Sequence, residues 1–275
     1  MGGLAIGTRV VAAETLDGLA ESDPAAQRSR RDLRRIHRAM GTRSIVRRGL
    51  EDLLGSNERS ASAARRPLRV LELGAGDGTL LLGVAGALGS RWPAVELTLL
   101  DRQSLVEPST VEAYAACGWR VTPRVVDVFA WARSAGADPA LPAASMPTGA
   151  PTRPEPIPPW DLIVGNLFLH HFEGPALSTL LAAIEAQGAR FFACEPRRAT
   201  LAWIGSHLVG ALGANAVTRE DAVLSVQAGF RDRELSALWP QHARRWRLRE
   251  YPAGLFSHCL QAQRVDPDDA VTPVR

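Results

Sequence analysis

Val70-Leu71-Glu72-Leu73-Gly74-Ala75-Gly76-Asp77-Gly78-Thr79 is the stretch whose reading decides the fold. A short apolar run breaks into glycines at alternate positions, so a buried strand gives way to a tight turn. Without a Cβ, such a turn brings its main chain close to a ligand. A helix is predicted from Thr79 to about Leu88, with unpaired N–H groups at its start. The combination suits part of a nucleotide-like molecule.

Three further strands follow the same plan. Val95-Glu96-Leu97-Thr98-Leu99-Leu100 ends in Asp101, about a turn, a helix and a strand later. A carboxylate there is placed to accept both hydroxyls of a ribose. Arg120 to Val126 ends in Asp127-Val128-Phe129. Asp161 to Val164 ends in Gly165-Asn166-Leu167-Phe168. All four strands carry polar or glycine positions at their C-terminal ends, where open α/β sheets bind ligands.

From Arg66 to Gln263 the chain resembles the class I S-adenosylmethionine-dependent methyltransferases. The matching pieces are Leu71 to Gly78, Leu100-Asp101, Val126-Asp127-Val128 and Trp160 to Phe172. The loop differs from the Gly-x-Gly-x-x-Gly of nicotinamide dehydrogenases, because its third glycine, Gly78, comes only two residues after Gly76. The resemblance implies an α/β, Rossmann-like methyltransferase domain. Its seven-stranded sheet is mostly parallel with an antiparallel closing strand. It also implies S-adenosylmethionine as cofactor. Glu72, Gly74, Ala75, Gly76 and Asp77 would form the cofactor loop, Glu72 orienting it or reaching the ammonium. Asp101 and Arg102 would lie at the ribose, Asp127 and Val128 at the adenine, Asn166 and Leu167 beside the methionine moiety. Asp127 also reads as an N-cap for the helix after it. Nucleic-acid amino methyltransferases carry Asn-Pro-Pro-Tyr or a close variant at the fourth strand. Asn166-Leu167-Phe168-Leu169 departs from it, which disfavours a base amino group as acceptor.

Composition sets the bounds. The 275 residues suit one sizeable domain with an accessory segment. No apolar run is long enough to span a bilayer. The start lacks the basic head of a signal peptide, and Ile6 spoils a myristoylation pattern. Cys117, Cys194 and Cys259 are scattered, which fits a reducing cytoplasm and suggests neither disulfides nor zinc. No metal is expected. Every basic residue is arginine, and nine of them lie between Arg28 and Arg48 against the single acid Asp32.

Residues 1–60 read as a helical accessory segment and 61–275 as the main domain, with a Pro-rich insertion at 134–159. Met1 to Ala13 shows no pattern and reads as mobile. Asp23-Pro24 starts a helix. Leu33, Ile36 and Met40 give it one apolar stripe, and Gly41-Thr42 breaks it. Ser44 is a candidate cap for the next helix, with Ile45, Leu50, Leu53 and Leu54 facing inward. Ser56 to Arg66 reads as a polar linker. Helices are predicted over Pro175 to Gln187 and Leu201 to Leu212, and another over Glu220 to Ala228 with Thr218 as its cap. Arg190 to Cys194 is the fifth strand. Trp246 to Tyr251 and Leu255 to Gln263 would form the closing hairpin; the alternative sixth strand is Arg231 to Leu238.

Methyl transfer from a sulfonium needs alignment and exclusion of water, and a base when the acceptor is a phenol, hydroxyl or acidic carbon. His170 and His171 are the candidate bases, expected neutral at a helix entry. Weaker candidates for substrate contact are His37, Glu195, Arg197, His207 and His258. The arginine helix reads as a solvated face, as a lid over the pocket, or as a phosphate-binding stripe. The last is disfavoured because no Phe, Tyr or Trp is interleaved. The function expected is O-methylation of a phenolic or hydroxylated small molecule. Carbon methylation of an activated ring, a nucleic-acid methyltransferase and a non-catalytic cofactor-binding assembly factor are the alternatives.

Overall fold

A computed structural model describes residues 7–60, 66–89, 92–134, 159–240 and 246–265. The insertion at 134–159 therefore lies outside the described residues except for its two ends. Seven strands form one sheet: β1 (Leu68–Leu73), β2 (Val95–Asp101), β3 (Trp119–Val125), β4 (Leu162–Asn166), β5 (Arg190–Pro196), β6 (Trp246–Ala253) and β7 (Ser257–Arg264). Their order is β3-β2-β1-β4-β5-β7-β6. β1 to β5 run parallel, and β7 pairs antiparallel with both β5 and β6. This is the mostly parallel sheet with an antiparallel closing strand that the sequence predicts.

Period-2 alternation explains the two cores. Val70, Leu97, Leu99, Val164 and Phe192 point to one face. They pack there against Leu50, Leu53 and Leu54 of α3 (Thr42–Ser60), Leu81, Val84 and Leu88 of α4 (Thr79–Leu88), and Tyr114 of α5 (Pro108–Ala116). Leu71, Leu73, Leu100, Ile163 and Phe191 point to the other. They meet Trp131 of α6 (Val128–Ser134), Leu177, Leu180 and Ile184 of α7 (Gly174–Gln187), and Trp239. Both faces of a parallel sheet are thus covered. Gly49 lets α3 lie directly on the sheet, because a Cβ there would fall 2.2 Å from the Phe192 ring.

β2 and β4 flank β1 on opposite sides, so the chain leaves β1 in one direction and returns in the other. The crevice at that switch point is where such sheets bind ligands. The N-terminal segment lies over it. α1 (Thr15–Gly18) and α2 (Pro24–Met40) pack on α9 (Ala216–Ala228). Asp23 caps α2 by accepting from the N–H groups of Ala25 and Ala26, and Gly41 ends it in the left-handed region. Asp32 is buried and accepts from Asn215 N–H (2.9 Å), and Ser29 bonds the Asn215 side chain (3.1 Å). Arg28, Arg31, Arg35 and Arg38 are exposed.

Four expectations change. Residues 7–13 are anchored, since Arg9 donates to Ala228 O (2.7 Å), Phe172 O (2.8 Å) and His170 O (3.0 Å). Ser44 lies within α3, which starts at Thr42, so it is no cap. Asn215 caps α9 by accepting from Thr218 N–H, where the cap was expected at Thr218 itself. Arg231 to Leu238 is no strand but a turn and α10 (Glu234–Leu238), whose first amides are taken by the Glu250 carboxylate on β6. α8 (Thr200–Leu208) continues as a 3-10 turn to Leu212, as its predicted length requires.

Candidate active site

A cavity of about 740 Å³ opens over the C-terminal ends of β1, β2 and β4. Its floor is the glycine loop, its walls are the segments after β2, β3 and β4, and its roof is residues 11–18 with α2. Gly74 has φ +65°, and a Cβ there would fall 2.2 Å from the Phe168 ring, so the turn tolerates no side chain at this point. Gly76 has φ +56° and open space where its Cβ would be.

The loop closes on itself. Ala75 N–H donates to Leu100 O, Gly78 N–H to Ala75 O, and Gly76 N–H to Asp101 Oδ2 (2.8 Å). At the start of α4, Asp77 Oδ1 accepts from Thr79 N–H (3.0 Å) and Oγ1–H (2.6 Å). The amides of Ala75, Gly76, Gly78 and Thr79 are thus committed, and at those positions the loop offers shape. Asp101 lines the cavity and also accepts from Gln103 N–H (2.9 Å). Each of its oxygens keeps a lone pair for a further donor. Asp127 serves as the N-cap of α6, taking the amides of Phe129 and Ala130, and lines the cavity beside Val128.

Three buried polar atoms at the cavity have no hydrogen-bond partner among the described residues: Glu72 Oε2, Asn166 Oδ1 and His37 Nε2. Each costs about 1–3 kcal/mol if left so. A ligand with several polar groups would recover that cost. Burial pushes the Glu72 carboxyl well up, with Asp77 and Asp101 adding to the effect; a nearby cation would act the other way. Burial lowers the His37 imidazole to about 4. Leu167 sits at φ +50°, a strained position for a branched residue, at the tip of β4.

The two candidate bases sit in different surroundings. His170 is buried, with Nδ1 on Glu195 Oε2 (2.9 Å) and Nε2 on Glu14 Oε1 (3.3 Å). Burial opposes a charge on it, but the bonds to Glu14 and Glu195 outweigh that and hold it up at about 9. The two carboxylates thus favour the protonated ring, which makes it a poor proton acceptor. The neutral state expected from the turn's amides is overridden by two carboxylates. Those amides are spent on Glu195, which takes Phe168, Leu169 and His170 N–H. His171 donates through Nδ1 to Phe168 O (3.0 Å), which leaves Nε2 as an acceptor on the cavity side. Glu14 Oε2 and Asp17 Oδ2 lie 3.5 Å and 3.7 Å from that nitrogen. The hydrogen bond from His170 holds the Glu14 carboxyl far down despite its burial.

The structure brings Glu72, Gly74, Ala75, Gly76, Asp77, Asp101, Arg102, Asp127, Val128, Asn166, Leu167, His37, His170 and His171 to one cavity. Arg102 is turned to the rim and donates to Asp17 O. The other substrate candidates do not reach it. Glu195 is fully buried under the histidine turn. Arg197 lies beyond β5, its main chain bridged to Phe230. His207 is exposed beside Trp203. His258 is buried against Glu250 (2.8 Å). Glu14, Asp17, Gln103 and Ser225 went unnoticed in sequence, since nothing local marks them.

No protein-family model matches the chain, and no curated protein is significantly similar to it. Solved structures are. The plantazolicin methyltransferase BpumL, in complex with a triazolic desmethylPZN analog and SAH, is 12% identical with a TM-score of 0.50, over 88% of this chain and 92% of that one. The magnesium protoporphyrin IX methyltransferase ChlM from Synechocystis PCC 6803 with bound SAM is 12% identical, TM-score 0.44, over 91% and 88%. The mitomycin 7-O-methyltransferase MmcR is 17% identical, TM-score 0.44, over 91% and 60%. Strand order, closing hairpin and the likeness to BpumL agree: the chain has the Rossmann-like fold of the class I S-adenosylmethionine-dependent methyltransferases.

Proposed function

We propose that this protein is an S-adenosylmethionine-dependent methyltransferase acting on a small organic molecule. The observation that carries this is the cavity at the switch point, with Asp101 at its rim and unsatisfied Glu72 and Asn166 on its floor. Asp101 suits ribose hydroxyls, and Asp127 with Val128 suits the adenine. Glu72 and Asn166 suit the ammonium, whose charge would ionise Glu72. When bound, the cofactor supplies a methyl group on a sulfonium.

The chain's own part is to hold the acceptor in line and keep water out. The roof of residues 11–18 and α2 does the second. For the first we favour an oxygen acceptor, a phenol or other hydroxyl, held at the Glu14–His171 end. His171 is there the side chain able to receive the acceptor's proton, and Glu14 and Asp17 stabilise the imidazolium formed. His170 fixes Glu14 for that task. An activated ring carbon would use the same end. The triazolic desmethylPZN analog bound to BpumL makes heteroaromatic small molecules of that kind a first class to try. Docking to nucleic acid is the weaker reading, because Arg30 and Arg34 are engaged by Gln103 and Asp77 and no Phe, Tyr or Trp is interleaved with the exposed arginines of α2.

The test is calorimetry with S-adenosylhomocysteine, then incubation with methyl-labelled cofactor and a metabolite extract, read by mass. Saturable binding and a labelled product are expected. No binding of either cofactor form would overturn the proposal.

A further inference from the structure

We propose that Glu14, His170 and His171 form a site for one divalent transition-metal ion such as Zn²⁺, at the acceptor end of the cavity. The donor atoms, one carboxylate oxygen and two imidazole nitrogens, lie within 4.8 Å of one another. Nitrogen and oxygen ligands about 2.0–2.1 Å from a tetrahedral ion stand about 3.3 Å apart. Here His170 Nε2 is 3.3 Å and His171 Nε2 3.5 Å from Glu14 oxygens. Asp17 Oδ2, 3.7 Å from His171 Nε2, is in reach as a further ligand.

The surroundings are those of ligands rather than of a simple ion pair. Both rings have Nδ1 committed, His170 to the buried Glu195 and His171 to Phe168 O. Both Nε2 atoms therefore face the same carboxylate, the arrangement that fixes tautomer and orientation around bound metals. The rings lie 4.1 Å apart at 35°, side by side. Ser225 Oγ donates to Glu14 and fixes the third ligand in turn. Glu195 takes three amides of the turn, so the two rings stand on a rigid base. Three carboxylates surround two imidazoles, and a divalent ion offsets two of their three charges with both rings neutral.

An ion here would tie residue 14 of the roof to the turn after β4 and close the cavity. Resting on the methyltransferase proposal, it would also ionise an acceptor hydroxyl in place of His171, the proton leaving to solvent.

The test uses the full, tag-free chain, stripped with chelator and titrated with Zn²⁺. One equivalent is expected to bind, and Co²⁺ to give the visible spectrum of a low-coordinate nitrogen and oxygen site. Glu14→Ala and His171→Ala, each checked for cooperative unfolding, should weaken binding by tenfold or more. Ser225→Ala should weaken it by roughly tenfold. A wild type that takes up no stoichiometric zinc, or uptake undiminished in both ligand variants, overturns the site. S-adenosylhomocysteine titrated into the same preparation separates the two proposals. Zinc bound without it keeps the ion site and removes the methyltransferase; the reverse result removes only the ion.

Discussion

The two ends of the cavity are built in opposite ways. The cofactor end is made by one loop and the tips of adjacent strands. Residues 72–77 and Asp101 meet there through parallel pairing of β1 with β2 in fixed register. The acceptor end is made by side chains from the roof and from the turn after β4, some 156 positions apart in sequence. The first is fixed mostly by main chain, the second by buried charge. Substitutions should therefore act on ligand affinity at one end and on folding at the other.

The largest effect is expected where that charge is most enclosed. Glu195→Ala would leave three amides and the His170 imidazolium without their acceptor. Breaking a buried pair by removing one partner costs about 3–5 kcal/mol. Denaturant unfolding should show a loss of that size. A loss below about 1 kcal/mol would mean that the acceptor end is not held by charge.

Asp101→Asn probes the other end. The fold should survive, since the residue stays polar and stands at the tip of one strand of seven. Affinity for S-adenosylhomocysteine should fall by about 2–3 kcal/mol, the worth of charge-assisted bonds to ribose hydroxyls. Unfolding should shift by much less. If stability fell while affinity held, Asp101 would be only a brace for Gly76.

How far each end was legible in sequence follows from the same contrast. The glycine loop, Asp101 and the closing hairpin are local patterns with their parts in one turn or one strand, and they stand where predicted. Glu195 is a weaker candidate for substrate contact in the sequence because it stands at the end of the fifth strand. Its burial depends on the 168–171 turn folding back over it, which no spacing reveals. Glu14 carries no local signal; anchors of the N-terminal segment such as Arg9 and Asp221 bring it to the histidines. The His170 charge was misjudged for the same reason, since its two carboxylate partners come from other parts of the chain.

His37 lets pH separate roof from floor. Its imidazole is held down to about 4 by burial, with Asp77 pulling the other way. In the unfolded chain an ordinary histidine titrates near 6.5. Between those values the unfolded chain binds a proton that the folded chain refuses. Stability is thus full above about pH 6.5 and drains as pH falls toward 4, by roughly 3 kcal/mol in all. In His37→Gln that part of the slope should vanish, so the stability difference between the two proteins changes from pH 7 to pH 5. Parallel pH curves for both would show that the roof does not enclose His37.

The smallest effect belongs to the strap between roof and floor. Arg34 Nη1 reaches Asp77 Oδ2 at 2.6 Å, but the arginine side chain is 44% exposed. Pairs this open contribute about 0.2–1 kcal/mol and weaken with salt. Arg34→Ala should therefore hardly move the unfolding midpoint. Asp77 keeps its cap on Thr79, so the glycine loop should keep its shape. The change should appear in kinetics instead: faster release of S-adenosylhomocysteine from the variant, with wild type approaching it as salt rises. Equal release rates at low salt would mean that the roof stays shut through its anchors on α9 alone, at Asp32 and Ser29. In that case opening would require α2 and α9 to move together, and the strap would serve only to orient Asp77.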